Sequence, residues 1–421
     1  MKSFFAVLCL LFAAPLFAQV VAIKAGTLVD AARGTTTRDQ VILVESGKIK
    51  SIGSDLAIPA DAQVIDLSRE WVMAGLMDAH VHMALTEIEG DAPFESFYLN
   101  RSSTLRGLSG LHNAQAVLNA GFTTLRDVGN SAEYAMSDVR RAIDAGWFVG
   151  PTIIDAGKII APFGGQSRNI PPNQGRFWQF EYIDADGPAE IRKAIRSNIY
   201  YGAGVIKLVG DNSAYHYSLE EFRAAVDEAH HAGIPVSVHV YSGDCADNAI
   251  EAGVDSIEHG FELTDAQMKK MKDKGIFLVS TDFPRAHLDI VGTSGGILPE
   301  PAVLAPKIID RLTRAHKVGV KLVFGSDVVV DMKGRTRADM MFDYLGVWRL
   351  AGIPPQDILR AMTSDAAQLL RIEKVRGRLT EGLSADIIAM PVNPLDDIES
   401  LRKIDFVMKD GKVVKGVGSV H

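Results

Sequence analysis

Cysteine is all but missing. Cys9 and Cys245 are the only two in 421 residues, so no disulfide framework staples this chain. Basic charge is in deficit: 44 Lys and Arg stand against 52 Asp and Glu, a net of −8. Proteins that grip nucleic acid usually carry a basic excess, and no such partner is expected. After Val21 no uncharged stretch approaches the ~20 residues that cross a bilayer as a helix. What is present is a globular balance. The 47% apolar and 23% charged residues supply a large core and exclude disorder and coiled coil. The length allows two or three domains or one large barrel.

Lys2 precedes an uncharged run, Ser3 to Val21, rich in Leu, Phe and Ala. A positive start, an apolar stretch and a small residue before a polar one describe a secretory signal. Residues 1–18 are read as that signal, with cleavage after Ala18. An uncleaved anchor and a buried first helix are the competing readings. Cleavage removes Lys2 and Cys9, leaving 43 minus 52, or −9, and one cysteine. The expected product is secreted, periplasmic and free of the membrane.

The two ends of the mature chain share one texture. Val20–Ile23, Val41–Glu45, Lys48–Ile52 and Gln63–Asp66 are extended runs separated by turn residues, as are Asp386–Met390, Ile404–Lys409 and Lys412–Lys415. Neither end holds enough chain for a sheet core alone. Residues 19–73 and 374–421 are therefore expected to build one composite β-sandwich. Residues 74–373 alternate strands with helices. The strand candidates are Val72–His82, Thr123–Val128, Thr152–Ala156, Val205–Val209, Val236–Tyr241, Ser256–His259, Phe277–Thr281 and Lys321–Ser326. Eight such units predict an α/β fold, a closed (β/α)8 TIM barrel. An open doubly wound sheet is the alternative, but no phosphate-cradling glycine loop follows the first strand.

Barrel enzymes gather reactive groups at the C-terminal ends of their strands. The first candidate strand ends Asp78-Ala-His80-Val-His82, and alternation puts His80 and His82 on one face. The fourth holds Lys207 within an apolar run, the fifth ends near His239, the sixth at His259, and the eighth runs into Asp327. Imidazole and carboxylate are ligands of zinc and related divalent ions. One histidine means little, but six such residues at the ends of five strands point to a metal site. Arg126 and Asp127, closing the second strand, are read as a structural pair beneath it.

This ordered set, flanked by a split sandwich, resembles the amidohydrolase superfamily of metal-dependent hydrolases. Gly75-Leu-Met-Asp78, Thr123-Thr-Leu-Arg-Asp127 and Gly382-Leu-Ser-Ala-Asp386 match it too, and the likeness covers nearly all of the mature chain. The nearest branch is that of Xaa-Pro dipeptidases, carboxypeptidase-like amidases and ochratoxin-type amidohydrolases. The resemblance implies two divalent ions, zinc by preference. One is held by His80, His82 and Asp327, and the other by His239 and His259. An N6-carboxylated Lys207 and a hydroxide bridge both. Burial lowers a lysine pKa, and a neutral amine reacts with carbon dioxide to give a bridging carbamate. A merely ion-paired Lys207 would leave one ion instead.

Cleavage of dipeptides or N-acyl amino acids by a metal-bridging hydroxide is the expected function, with Asp327 as proton carrier. Tyr241, on the face of His239, and His287, after the seventh strand, are candidates for binding the substrate's carbonyl or carboxylate; packed side chains are the alternative for both. An imidazolonepropionase-like cyclic amidase or deaminase on the same scaffold is the second reading, disfavoured by Lys207. A non-enzymatic metal- or solute-binding protein is the third, disfavoured by Asp327. The aromatic-rich connection 161–187 is read as a lid over the pocket or as a subunit contact. The expected partners are a small amide or peptide substrate and further copies of the chain in a homo-oligomer.

Overall fold

The computed structural model describes residues 20–85, 87–88, 101–129, 132–167, 170–293 and 300–416. The expected signal segment lies outside them. No helix among the described residues is long and apolar enough to cross a membrane.

Strands from both ends of the chain form one seven-stranded sheet. Its order is Lys412–Lys415, Phe406–Lys409, Ile387–Met390, Gln63–Ala74, Val21–Asp30, Thr35–Glu45 and Lys48–Gly53. The central contact is antiparallel, Ile387 opposite Ala74 and Met390 opposite Trp71. The sheet folds over until its edge strand meets its other half. Lys48 bridges Ser384, and Ile49 N donates to Leu383 O at 2.9 Å. Ile23, Ile42, Val44, Leu67, Ile387, Phe406 and Met408 fill the space enclosed. Each such side chain is worth ~1.5–3 kcal/mol when fully buried, and neither terminal segment supplies this core alone. The N-terminal strands run longer than their sequence patterns suggested, because solvent-facing edges tolerate polar residues such as Thr35–Arg38.

The barrel strands are Leu76–Val81, Phe122–Asp127, Thr152–Asp155, Ile206–Val209, Val236–Val240, Ser256–His259, Phe277–Val279 and Leu322–Val323. They pair in parallel and are buried almost throughout, as expected of a sheet covered on both faces. The ring closes where Ala79 N donates to Phe324 O at 2.9 Å and Asp327 N to His80 O at 2.7 Å. The α/β expectation, a TIM barrel with a sandwich built from both ends, is the architecture found.

One strand expectation needs correction and another needs extending. Val72–His82 is two strands: Val72–Ala74 ends the sandwich strand, Gly75 turns, and Leu76–Val81 enters the barrel. Thr123 packs so tightly over Gly75 that any Cβ there would overlap it. The third strand also breaks. Thr152–Asp155 pairs with the second, and after Gly157 (φ 65°) the chain resumes as Ile159–Ala161, beside the fourth. The connection 161–187 is partly ordered, because Tyr182–Asp184 adds a parallel strand to Ile159–Ala161. Helices close the outer layer. Those beginning at Leu219, Asp265 and Arg337 carry reciprocal capping boxes, in which Ser218, Thr264 and Thr336 exchange hydrogen bonds with Glu221, Gln267 and Asp339.

In the sandwich, the pairing of Val21–Asp30 with Gln63–Ala74 slips at Gly26, where a Cβ would run into the Ser68 carbonyl. Backbone cannot yield as a side chain tip can. Gly26→Ala is expected to cost about 1–3 kcal/mol, read as a lowered midpoint in denaturant unfolding, with activity per folded molecule unchanged.

Candidate metal centre

Parallel strands of a closed barrel deliver their last residues to one rim, which is where the sequence candidates meet. His80, His82 and Asp327 form a group with ligand-capable atoms within 4.8 Å of one another. Asp327 Oδ1 lies 3.2 Å from His82 Nε2 and 3.6 Å from His80 Nε2. Its Oδ2 faces His259, 3.8 Å from Nδ1. The rings of His259 and His80 are 5.1 Å apart, and those of His259 and His239 are 4.3 Å apart. Lys207 is 2% exposed, on the neighbouring fourth strand, where it stands opposite Ser237.

Each histidine commits one ring nitrogen elsewhere or meets an acceptor. His80 Nδ1 lies 2.6 Å from Glu258 Oε2, and His82 Nδ1 lies 2.7 Å from the Gly129 carbonyl. A carbonyl or carboxylate only accepts, so both rings carry a proton on Nδ1 and turn Nε2 toward Asp327. Burial works to lower the pKa of His82, but the hydrogen bond and charge of Asp327 outweigh it and raise it. His259 Nδ1 engages the Thr281 hydroxyl at 2.8 Å. His239 Nε2 faces Gln166 Nε2 at 3.4 Å and Asp211 Oδ1 at 3.7 Å. Burial and the charge of Lys207 hold His80 and His239 well below the usual imidazole range. Burial and the neighbouring His239 do the same to His259. Neutral imidazoles are what a divalent ion requires, and a cation seated between His82 and Asp327 would take the place of the proton that they share, so the residues fit a metal.

Local backbone makes this convergence possible. His259, Thr281 and Asp327 all sit at positive φ, 68°, 45° and 53°, in the left-handed region that non-glycine residues seldom enter. Each marks a sharp turn at or just past the end of the sixth, seventh or eighth strand. Gly325 lets the eighth strand lie against the first: a Cβ there would strike Val279 and the Cβ of His80. Asp78 then fastens the two, accepting from His80 N at 2.9 Å and Ser326 N at 3.2 Å.

Charge beneath the rim centres on Glu258, which the sequence reading had not assigned. Glu258 is fully buried. It accepts from Arg126 Nη2 at 2.8 and 2.9 Å and from the hydroxyls of Ser237 and Ser256 at 2.7 and 2.5 Å. Burial works to raise its pKa, but the charges of Arg126 and Lys207 and the serine hydrogen bonds outweigh it and hold it below the ordinary range. The expected pairing of Arg126 with Asp127 is thus corrected. Neighbours on a strand face opposite ways, and Asp127 instead accepts from Met83 N and Gly129 N. Burial pushes Lys207 down to about 8 and Asp211 up to about 6. Asp211 was legible only as a polar residue after the fourth strand. Gln166, half-buried in the long connection, gave no periodic signal at all.

The two substrate candidates sit differently. The Tyr241 ring flanks His239 at 4.7 Å and His259 at 5.7 Å, and stacks on Phe261. His287 is buried, its Nε2 on Asp343 Oδ2 at 3.1 Å and its ring against Tyr344. Asp343 also takes both Arg335 nitrogens at 2.7 and 3.0 Å, so only Nδ1 of His287 is left without a hydrogen-bond partner.

Comparison with known proteins agrees with this geometry. Residues 71–414 match the Amidohydrolase family. The chain is 29% identical to the ochratoxinase of Aspergillus niger over 440 residues, covering 95% of this chain and 88% of that protein. Among solved structures, a Xaa-Pro dipeptidase with bound methionine superposes with a TM-score of 0.83 at 28% identity, covering 94% of this chain and all of that one. The crystal structure of the A. niger ochratoxinase gives 0.79 at 26%, covering 96% and 97%. The chain belongs to the amidohydrolase family and is an enzyme that hydrolyses amide C–N bonds.

Proposed function

We propose that this enzyme is a secreted, periplasmic, binuclear metallohydrolase that releases an amino acid from dipeptides or N-acyl amino acids. The observation that carries the reading is the approach of the His239–His259 pair to the His80–His82–Asp327 group, with the buried Lys207 on the strand beside His239. The likeness to a Xaa-Pro dipeptidase and to ochratoxinase supports the substrate class. A homo-oligomer and the division into residues 19–73 with 374–421, and 74–373, complete the proposal.

His80, His82 and Asp327 would hold one ion and His239 and His259 the other, zinc being suited to these donors. Lys207 would span both as a carbamate: its neutral amine attacks carbon dioxide, one N–C bond forms and one proton leaves. The lowered pKa of Lys207 favours that neutral amine. When bound, the ions acidify a water molecule and polarise the scissile carbonyl. Asp327, between the three histidines, takes the proton of the attacking water. As the C–O bond forms and the C–N bond breaks, it passes that proton to the departing amine. Tyr241 donates from its hydroxyl to the substrate's carboxylate or to the oxygen gaining charge. His287, the second candidate, donates from Nε2 to Asp343; its Nδ1 is then an acceptor, suited to an N–H of the substrate and not to its carboxylate.

A panel of dipeptides and N-acyl amino acids assayed with zinc-reconstituted protein tests the reading; hydrolysis of cyclic amides alone would replace it with the second reading. Tyr241→Phe is expected to raise KM for substrates with a free carboxylate more than for their amides, and equal effects on both would remove Tyr241 from that role. Asp327→Asn suits the left-handed backbone, which asparagine tolerates. It is expected to lower kcat by about 10²–10⁴ while the unfolding of the metal-free chain stays unchanged. Chelation should abolish activity and lower the unfolding midpoint. Zinc restored at about 100 times its Kd should return about 2.7 kcal/mol.

A further inference from the structure

Arg126 and Glu258 lie in the barrel interior, 1% and 0% exposed. The geometry points to Glu258 as a positioning residue: braced by Arg126, it fixes the ring and tautomer of His80 and thereby sets how tightly the site holds the ion that His80 shares with His82 and Asp327. The inference rests on the metal reading above.

The argument starts from what surrounds the carboxylate. Three donors besides His80 reach it, in four hydrogen bonds. Arg126 Nη2 bonds both oxygens, and Ser237 and Ser256 both bond Oε1. They come from the second, fifth and sixth barrel strands. Arg126 is itself anchored by Nε to the Ala79 carbonyl of the first strand and by Nη1 to Ser256 Oγ at 3.2 Å. A carboxylate gripped from three strands cannot turn. Its Oε2 is therefore fixed toward His80 Nδ1, 2.6 Å away. Because it only accepts, the His80 proton stays on Nδ1 and Nε2 stays bare, 3.6 Å from Asp327 Oδ1. Without this partner a ring can flip and exchange tautomers, and part of its population then offers the wrong atom.

The other metal-facing rings are braced differently. His82 has the neutral Gly129 carbonyl and His259 the Thr281 hydroxyl. An ionised acceptor makes an imidazole the stronger donor to a metal. The geometry therefore ranks the two ion positions: the one that includes His80 is the tighter.

The test is zinc titration of the chelator-stripped full chain by calorimetry, with circular dichroism to verify the fold. Glu258→Gln keeps the shape but sets an amide N–H₂ among donors. Arg126→Met with Glu258→Met removes both charges together, so that neither is left buried alone. Both variants are expected to bind the first zinc ion 10–100-fold more weakly than the parent and the second nearly unchanged. A folded double variant that binds as tightly as the parent overturns the inference. If the double variant does not fold, Ser237→Ala with Ser256→Ala frees the carboxylate to turn while keeping the ion pair; weaker first-ion binding supports the proposal, and unchanged binding overturns it. A parent chain that takes up no divalent cation overturns instead the metal reading on which this one stands.

Discussion

The site depends on one closure, the seam between the first and eighth barrel strands. Residues 78–82 and 324–327 are neighbours only because the chain has completed the ring between them. Asp78 makes the seam specific. Its carboxylate is fully buried and accepts backbone N–H groups from both strands. Burial pushes its pKa up to about 7, against the pull of those hydrogen bonds. Sequence separation inside the seam is 248 residues, so this contact carries a large loop-closure entropy. Every ligand distance measured from Asp327 to His80 or His82 inherits its accuracy.

Much of this was legible before any coordinates. Alternation placed His80 and His82 on one face, the strand-end rule gathered Lys207, His239, His259 and Asp327, and the apolar runs gave the eight strands. What escaped the sequence did so for stated reasons. Glu258 adjoins His259, and simple alternation sends neighbours to opposite faces. The left-handed backbone of His259 breaks that rule, and both side chains serve the interior. The breaks at Gly75 and Gly157 are steric and torsional choices inside otherwise continuous β-forming runs. Gln166 reaches His239 through a fold of the long connection that no periodicity encodes.

The interior of this barrel is unusually charged for so dry a place. Lys207, Arg126, Glu258 and Asp78 are all buried, and such groups are weak contributors to stability. Their arrangement makes sense as preparation for cations. The acidic residues meet backbone or guanidinium donors, and three of the four histidines are held neutral by burial and neighbouring charge. The sandwich carries the opposite character, an apolar core shared by both ends of the chain. A second and larger apolar core joins the barrel strands to the helices around them, which leaves the rim free to hold strained and polar residues.

The added strand Tyr182–Asp184 has a consequence for how molecules enter. Asp184 Oδ1 accepts from Trp178 Nε1 at 2.8 Å and Gly164 N at 3.0 Å, and Tyr182 donates to Gln166 Oε1 at 3.0 Å. Trp178 and Tyr182 are thus tied to a strand that extends the barrel sheet, and they stand beside the rim as a parapet. Such a parapet would sort visitors by breadth or flatness before any bond is touched.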